Sequence, residues 1–127
     1  MKRKNISSGA PWEDIVGYSR AVRIGNTIEV SGTAPVENGN VKGDTAYEQA
    51  IVCLEIIKKS LEEAGANMDD VIRTRIFVTD ISQWAEFGKA HGEFFGGNKP
   101  ATSMVEVNAL IDPKMLVEIE ATAVLSD

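Results

Sequence analysis

The sequence predicts an α+β fold, a two-layer sandwich in which a mixed β-sheet carries two helices on one face. Three observations lead there. Apolar residues recur at helical spacing over residues 45–64 and 83–95. Runs with the two-residue period of strands precede, separate and follow those segments. Each helix has one stripe to bury and the sheet one apolar face to receive it, so both helices belong on the same face. A chain of 127 residues, 43% hydrophobic and 25% charged, fits a single domain over 1–127 with one core.

Residues 1–18, rich in Gly, Pro and Ser, read as an irregular arm with Trp12 and Ile15 available to dock. Ala21–Ile24 and Thr27–Ser31 flank Gly25-Asn26 and read as a hairpin, with Gly32 ending its second strand. Pro35 to Gly43 is a polar connection. Asp44 reads as the N-cap of the first helix, whose stripe is Ala46, Ala50, Leu54, Ile57, Leu61 and Ala64, and Gly65 stops it. Cys53, next to that stripe, reads as a small buried hydrophobe. A strand over 72–79 places Ile72, Thr74, Ile76 and Val78 on one side and Arg73 and Arg75 on the other. Asp80–Ser82 caps a second helix, Gln83–Phe95, with Trp84, Phe87 and Phe94 expected to face inward beside the packing residue His91. Two alternating runs, 100–108 and 117–124, surround Asp112-Pro113. Paired as a hairpin, they would gather Glu106, Glu118 and Glu120 on the face that also carries Glu29, Arg73 and Arg75. That face is either solvated or packed against copies of itself, and the pattern alone favours the solvated reading.

Composition narrows the function. The chain has no apolar run long enough for a transmembrane helix, and its basic start lacks the apolar region of a signal peptide. The single Cys53 leaves no internal disulfide and suits a reducing compartment, so a cytoplasmic protein without membrane partners is expected. A formal charge of −6 and the lack of a basic, aromatic stripe make nucleic acid an improbable partner. One His and one Cys far apart form neither a nucleophilic pair nor a metal site, and no phosphate-cradling glycine motif is present, so no cofactor or metal is expected.

Gly17-Tyr18-Ser19, Gly25-Asn26, Val30-Ser31-Gly32, Glu63-Ala64-Gly65, Phe94-Phe95, Pro100-Ala101 with Val105-Glu106-Val107, and Val117-Glu118-Ile119-Glu120-Ala121 together resemble the Rid family of reactive intermediate/imine deaminases. This family is also known as YjgF/YER057c/UK114 and endoribonuclease L-PSP. The resemblance runs from about Gly17 to Val124. It implies a chorismate-mutase-like domain assembled as a homotrimer, with a small-molecule cleft at each subunit boundary and the Arg/Glu face turned toward the trimer centre. In deaminating members an Arg after Pro-Ala grips the substrate carboxylate; here that position is Thr102, and Met104 stands where Cys is usual. Tyr18, Gly32 and Glu118 match the family pattern. Glu118 is implied to handle the proton around the attacking water, with Tyr18 beside it, while Gly32 lets a ligand approach. Thr102 cannot make a bidentate pair with a carboxylate. Arg20 and Arg23 are the possible substitutes, and both are expected to face solvent. Three functions follow in order: a Rid-like hydrolase of an enamine or imine other than the usual 2-iminoacids, a non-catalytic trimeric metabolite-binding protein, and an endoribonuclease of the L-PSP type.

Overall fold

The computed structural model, which describes residues 1–126, is organised on a six-stranded sheet. In chain order the strands are β1 (Arg3–Ile6), β2 (Ala21–Ile24), β3 (Thr27–Thr33), the short β4 (Val36–Glu37) and β5 (Asn40–Val41), β6 (Val71–Val78), β7 (Ala101–Glu106) and β8 (Val117–Val124). The main sheet has the order β1-β2-β3-β8-β6-β7, and β4 and β5 form a separate hairpin. Only the β6/β7 pairing of the main sheet is parallel, which makes that sheet mixed. The helices are α1 (Pro11–Val16), α2 (Ala46–Glu63) and α3 (Trp84–Phe95). Helices α2 and α3 form the second layer of the expected sandwich.

The stripe read from the sequence is the buried side of α2: Ala46, Ala50, Leu54, Ile57, Leu61 and Ala64 are all at most 1% exposed. They share one core with Ile28 and Val30 of β3, Ile76 and Val78 of β6, and the alternate residues Val117, Ile119, Ala121 and Ala123 of β8. Helix α2 is capped by Thr45 rather than Asp44. The Thr45 hydroxyl accepts from the Glu48 N–H at 3.1 Å, while Glu48 Oε1 accepts from the N–H groups of Thr45 and Asp44. This reciprocal capping box gives Thr45 the position. Gly65, at φ 91°, ends the helix as expected.

Several expectations are corrected. The N-terminal arm is structured, with β1 paired to β2 and α1 started by Pro11, while Trp12 and Ile15 stay exposed. The polar connection contains β4 and β5, turned by Asn38 and Gly39 at positive φ. A register shift between Val71 and Arg73 turns Val71 inward and leaves Ile72 outside. On α3, Phe87 and Phe95 are buried, Phe94 packs at the core's margin, and Trp84 in the first turn is 63% exposed.

The C-terminal runs do not pair with each other. Helix α3 is the crossover between β6 and β7, which places β7 parallel beside β6, and β8 then inserts between β6 and β3. Alternation identified both strands but carried no information about their partners. Register now sorts the faces. Thr102, Met104 and Glu106 stand beside Thr74, Ile76 and Val78 on the helix-covered side. Glu118 and Glu120 stand across from Phe77 and Arg75 on the open side. Glu106 is therefore separated from the other two carboxylates, and its Oε1 accepts the Ile81 N–H at 3.0 Å instead. On the open face Glu120 lies 3.9 Å from Arg75 in an exposed pair of little energetic weight.

The two aromatic positions of α3 make a direct test. Phe87→Ala removes a fully buried ring and should cost about 3–5 kcal/mol in denaturant melts. Trp84→Ala should change stability by no more than about 0.5 kcal/mol, since it empties no buried space. The reverse order of effects would contradict this docking of α3.

Candidate functional site

Strand β2 begins at Ala21, which pairs with Val30, so the last residues of β3 extend past it. The chain from Ser7 to Arg20 folds over the resulting gap. Beneath it is a cavity of about 580 Å³, lined by Tyr18 and Arg20 of this arm, Gly32 of β3, Glu118 of β8, and Ile56 of α2. Glu13 holds the arm in shape. Its carboxylate accepts from Ser7 Oγ at 2.9 Å, from the Ser8 N–H at 3.1 Å and from the Ser8 hydroxyl. Burial pushes the Glu13 carboxyl up, but these bonds and the charge of Arg20 outweigh it and leave it below the ordinary range.

Glu118 enters the cavity because its neighbours do not. Val117 and Ile119 are committed to the core, so alternation along β8 turns Glu118 to the other face. There it meets β3 at its register shift between Val30 and Thr33. A Cβ at Gly32 would lie 3.0 Å from Glu118 Oε2 and 3.1 Å from the carboxyl carbon, so the missing side chain at position 32 is what admits the carboxylate. Burial pushes the Glu118 carboxyl above its ordinary range; Arg20 opposes that shift, and the charge of Glu120 adds to it.

Arg20 was expected in solvent and is instead half-buried on the cavity wall. Its Nη2 donates to the Gly32 carbonyl, and its guanidinium carbon lies 5.9 Å from the Tyr18 ring centroid. Arg23 is also drawn in, donating to the carbonyls of Gly25 and Ala64. A signal for Arg20 was present in the sequence: it precedes the buried Ala21 and follows Tyr18 by two residues, a spacing that puts both on one side of an extended chain.

Tyr18, Gly32 and Glu118 are thus brought to one cavity, and Thr102 and Met104 are not. Within a protomer those two stand on the helix-covered side of edge strand β7. Thr102 Oγ1 accepts from Thr74 Oγ1 at 2.7 Å, and Thr74 Oγ1 lies 2.8 Å from His91 Nε2. His91 packs on Phe95, with ring centroids 4.7 Å apart, and burial pushes its imidazolium below the ordinary range. Cys53 is fully buried with its thiol pushed up, first by burial and then by the charge of Glu118, which leaves it a poor nucleophile. Among the described residues no group of three His, Cys, Asp or Glu side chains could hold a metal ion, and no helix is long and apolar enough to cross a membrane.

Comparison with known proteins agrees with this architecture. The model of the family described as Endoribonuclease L-PSP matches residues 9–125. A RutC family protein of Pyrococcus abyssi is 43% identical over 110 residues, covering 84% of each chain. Protein HMF1 of Saccharomyces cerevisiae is 35% identical over 87% of this chain and 84% of its own. Among solved structures, the Mycobacterium tuberculosis protein Rv2704, a member of the YjgF/YER057c/UK114 family, is 50% identical, with a TM-score of 0.92 over 98% of this chain and 100% of that one. A YjgF family protein of Neisseria meningitidis superimposes with a TM-score of 0.84 at 30% identity, over 100% and 98% of the two chains. A family model spanning nearly all of the sequence and relatives matched over most of their own lengths lead to one conclusion: the chain belongs to the YjgF/YER057c/UK114 family, the Rid or endoribonuclease L-PSP family.

Proposed function

We propose that this protein is a small-molecule hydrolase acting on an imine or enamine other than the usual 2-iminoacids, with Glu118 as the proton-handling group. The observation that carries the reading is the Glu118 carboxyl lodged against Gly32 in the cavity wall, where burial raises its proton affinity. Imine hydrolysis asks for little more. A proton from the carboxylic acid makes the C=N carbon more electrophilic, and water adds to that carbon. The carboxylate then takes a proton from the added water and returns it to nitrogen. Ammonia leaves as the remaining hydroxyl proton passes back to the carboxylate and the carbonyl forms. Tyr18, on the same wall, is suited to orient the water.

Thr102 favours a second reading. It has no charge to grip a 2-iminoacid carboxylate, and its hydroxyl is engaged with Thr74. A homotrimer that holds a metabolite without turning it over fits that observation. The trimer belongs to both readings. Its support is the family and an open sheet face carrying Glu29, Arg73, Arg75 and Glu120, suited to pairing between copies. Assembly would also give Thr102 and Met104 a place at a neighbour's cavity. A cytoplasmic setting fits the lone buried Cys53. RNA cleavage ranks below both readings, since the chain carries a net charge of −6.

Glu118→Gln should lower imine hydrolysis, followed by semicarbazide trapping of unreacted imine, by about 10²–10⁴-fold. Gly32→Val should lower it as well by displacing the carboxyl. Wild-type protein that binds small molecules in melting experiments yet hydrolyses no imine would select the binding reading. Light scattering at micromolar concentration should return three times the protomer mass, 13.7 kDa. A monomer there would remove the trimer from both.

A further inference from the structure

We infer that Arg20 is the anion anchor of the cavity, and that the ligand is an organic acid whose carboxylate is taken by Arg20 while its apolar body lies against Ile6, Ile56 and Met115. This rests on the reading of the cavity as the reacting site, and it names the substrate class. The argument starts from what Arg20 leaves unused. A guanidinium has five N–H donors. Among the described residues, Arg20 makes one side-chain hydrogen bond, from Nη2 to the Gly32 carbonyl. Its Nε is buried with no partner, and it is in neither of the ion pairs found. A half-buried cation with one donor sealed from water and unpartnered is costly unless an anion completes it.

No carboxylate of the chain fills that place. Glu13 is engaged by Ser7 and Ser8. Glu118 shares the cavity and feels the charge of Arg20, yet burial favours its neutral form and it makes no ion pair. The other lining cation, Lys59, is exposed on α2 and hydrated, which makes it the weaker anchor. Most of the remaining wall is apolar: Ile6 and Met115 are each 6% exposed and Ile56 is half-buried, while the polar lining is Ser7, Ser8, Asn38, Ser60 and the exposed Glu63. A planar, charge-assisted contact beside an apolar wall selects a carboxylate with a hydrocarbon or aromatic body. The acid is therefore held from the start of β2, in the cavity that Glu118 also lines, and Thr102, which is not on that wall within a protomer, is not needed to hold it.

Benzoate and its neutral near-isostere benzamide are suitable probes, titrated into the full chain with detection by two-dimensional NMR. Benzoate should bind wild type at least about tenfold more tightly than benzamide, as expected for a charge-assisted contact, and should shift the amide signals of Arg20 and Gly32. Arg20→Gln should abolish that preference, so that benzoate binds no more tightly than benzamide. Arg20→Lys keeps a charge and a donor for the Gly32 carbonyl, so it preserves the wall. It should show a reduced preference because the planar fork is lost. Equal binding of the two probes by wild type would overturn the inference, as would an undiminished preference in a folded Arg20→Lys or benzoate shifts that leave the Arg20 and Gly32 amides unmoved. The hydrolase reading fails separately. If benzoate binds through Arg20 but no imine is hydrolysed, the anchor stands and catalysis does not.

Discussion

The site depends on one close approach, the Glu118 carboxyl against the bare backbone of Gly32. Both strands contribute to it. Strand β8 is pinned on two sides, antiparallel to β3 and to β6, so Glu118 cannot turn without dislodging Val117 and Ile119 from the core. Strand β3 shifts register at the same level, and position 32 has no side chain to exclude the carboxylate. Arg20 closes the arrangement by donating to the Gly32 carbonyl.

Helix α2 ties this contact to the rest of the molecule. Gln49 is buried, and its amide donates to the carbonyls of Gly43 and Lys114 while its Oε1 accepts the Leu116 N–H at 2.7 Å. A fully satisfied buried amide is worth keeping, because removing either partner leaves an unpaired polar group inside. Through it, the first turns of α2 fix the point at which the chain enters β8, one residue before Val117. The apolar stripe of α2 does the same for the sheet's inner face. The candidate carboxyl is thus held by the core it turns away from.

How much of this could be read from the sequence differs by residue. The stripe of α2 and the alternation of β8 were legible because each expresses a single period against a single apolar face. Glu118 was legible for the same reason, and its sharing of one cleft with Tyr18 and Gly32 came from family resemblance rather than from pattern; its contact with Gly32 is seen only in the structure. The partner of β7 was not legible, since alternation is the same whether a strand pairs with β8 or runs parallel to β6. That misreading grouped Glu106 with Glu118, whereas the β6–α3–β7 crossover places them on opposite faces. Trp84 was misread because the helical period continued into the first turn of α3, beyond the part of the helix that the sheet covers. Arg20 was expected in solvent, although its spacing from Tyr18 pointed to the cavity.

The most direct measurement of the central claim is the pH dependence of imine hydrolysis by wild type and Glu118→Gln. Burial makes Glu118 hold its proton to higher pH than an ordinary carboxyl, so the acid form is present below its raised titration point and lost as pH rises through it. The wild-type rate should therefore fall along a limb that begins above the ordinary carboxyl range, and the Glu118→Gln profile should lack that limb. The same limb in both proteins, or a wild-type rate that ignores pH throughout that range, would contradict the assignment of Glu118 as the group that moves the proton.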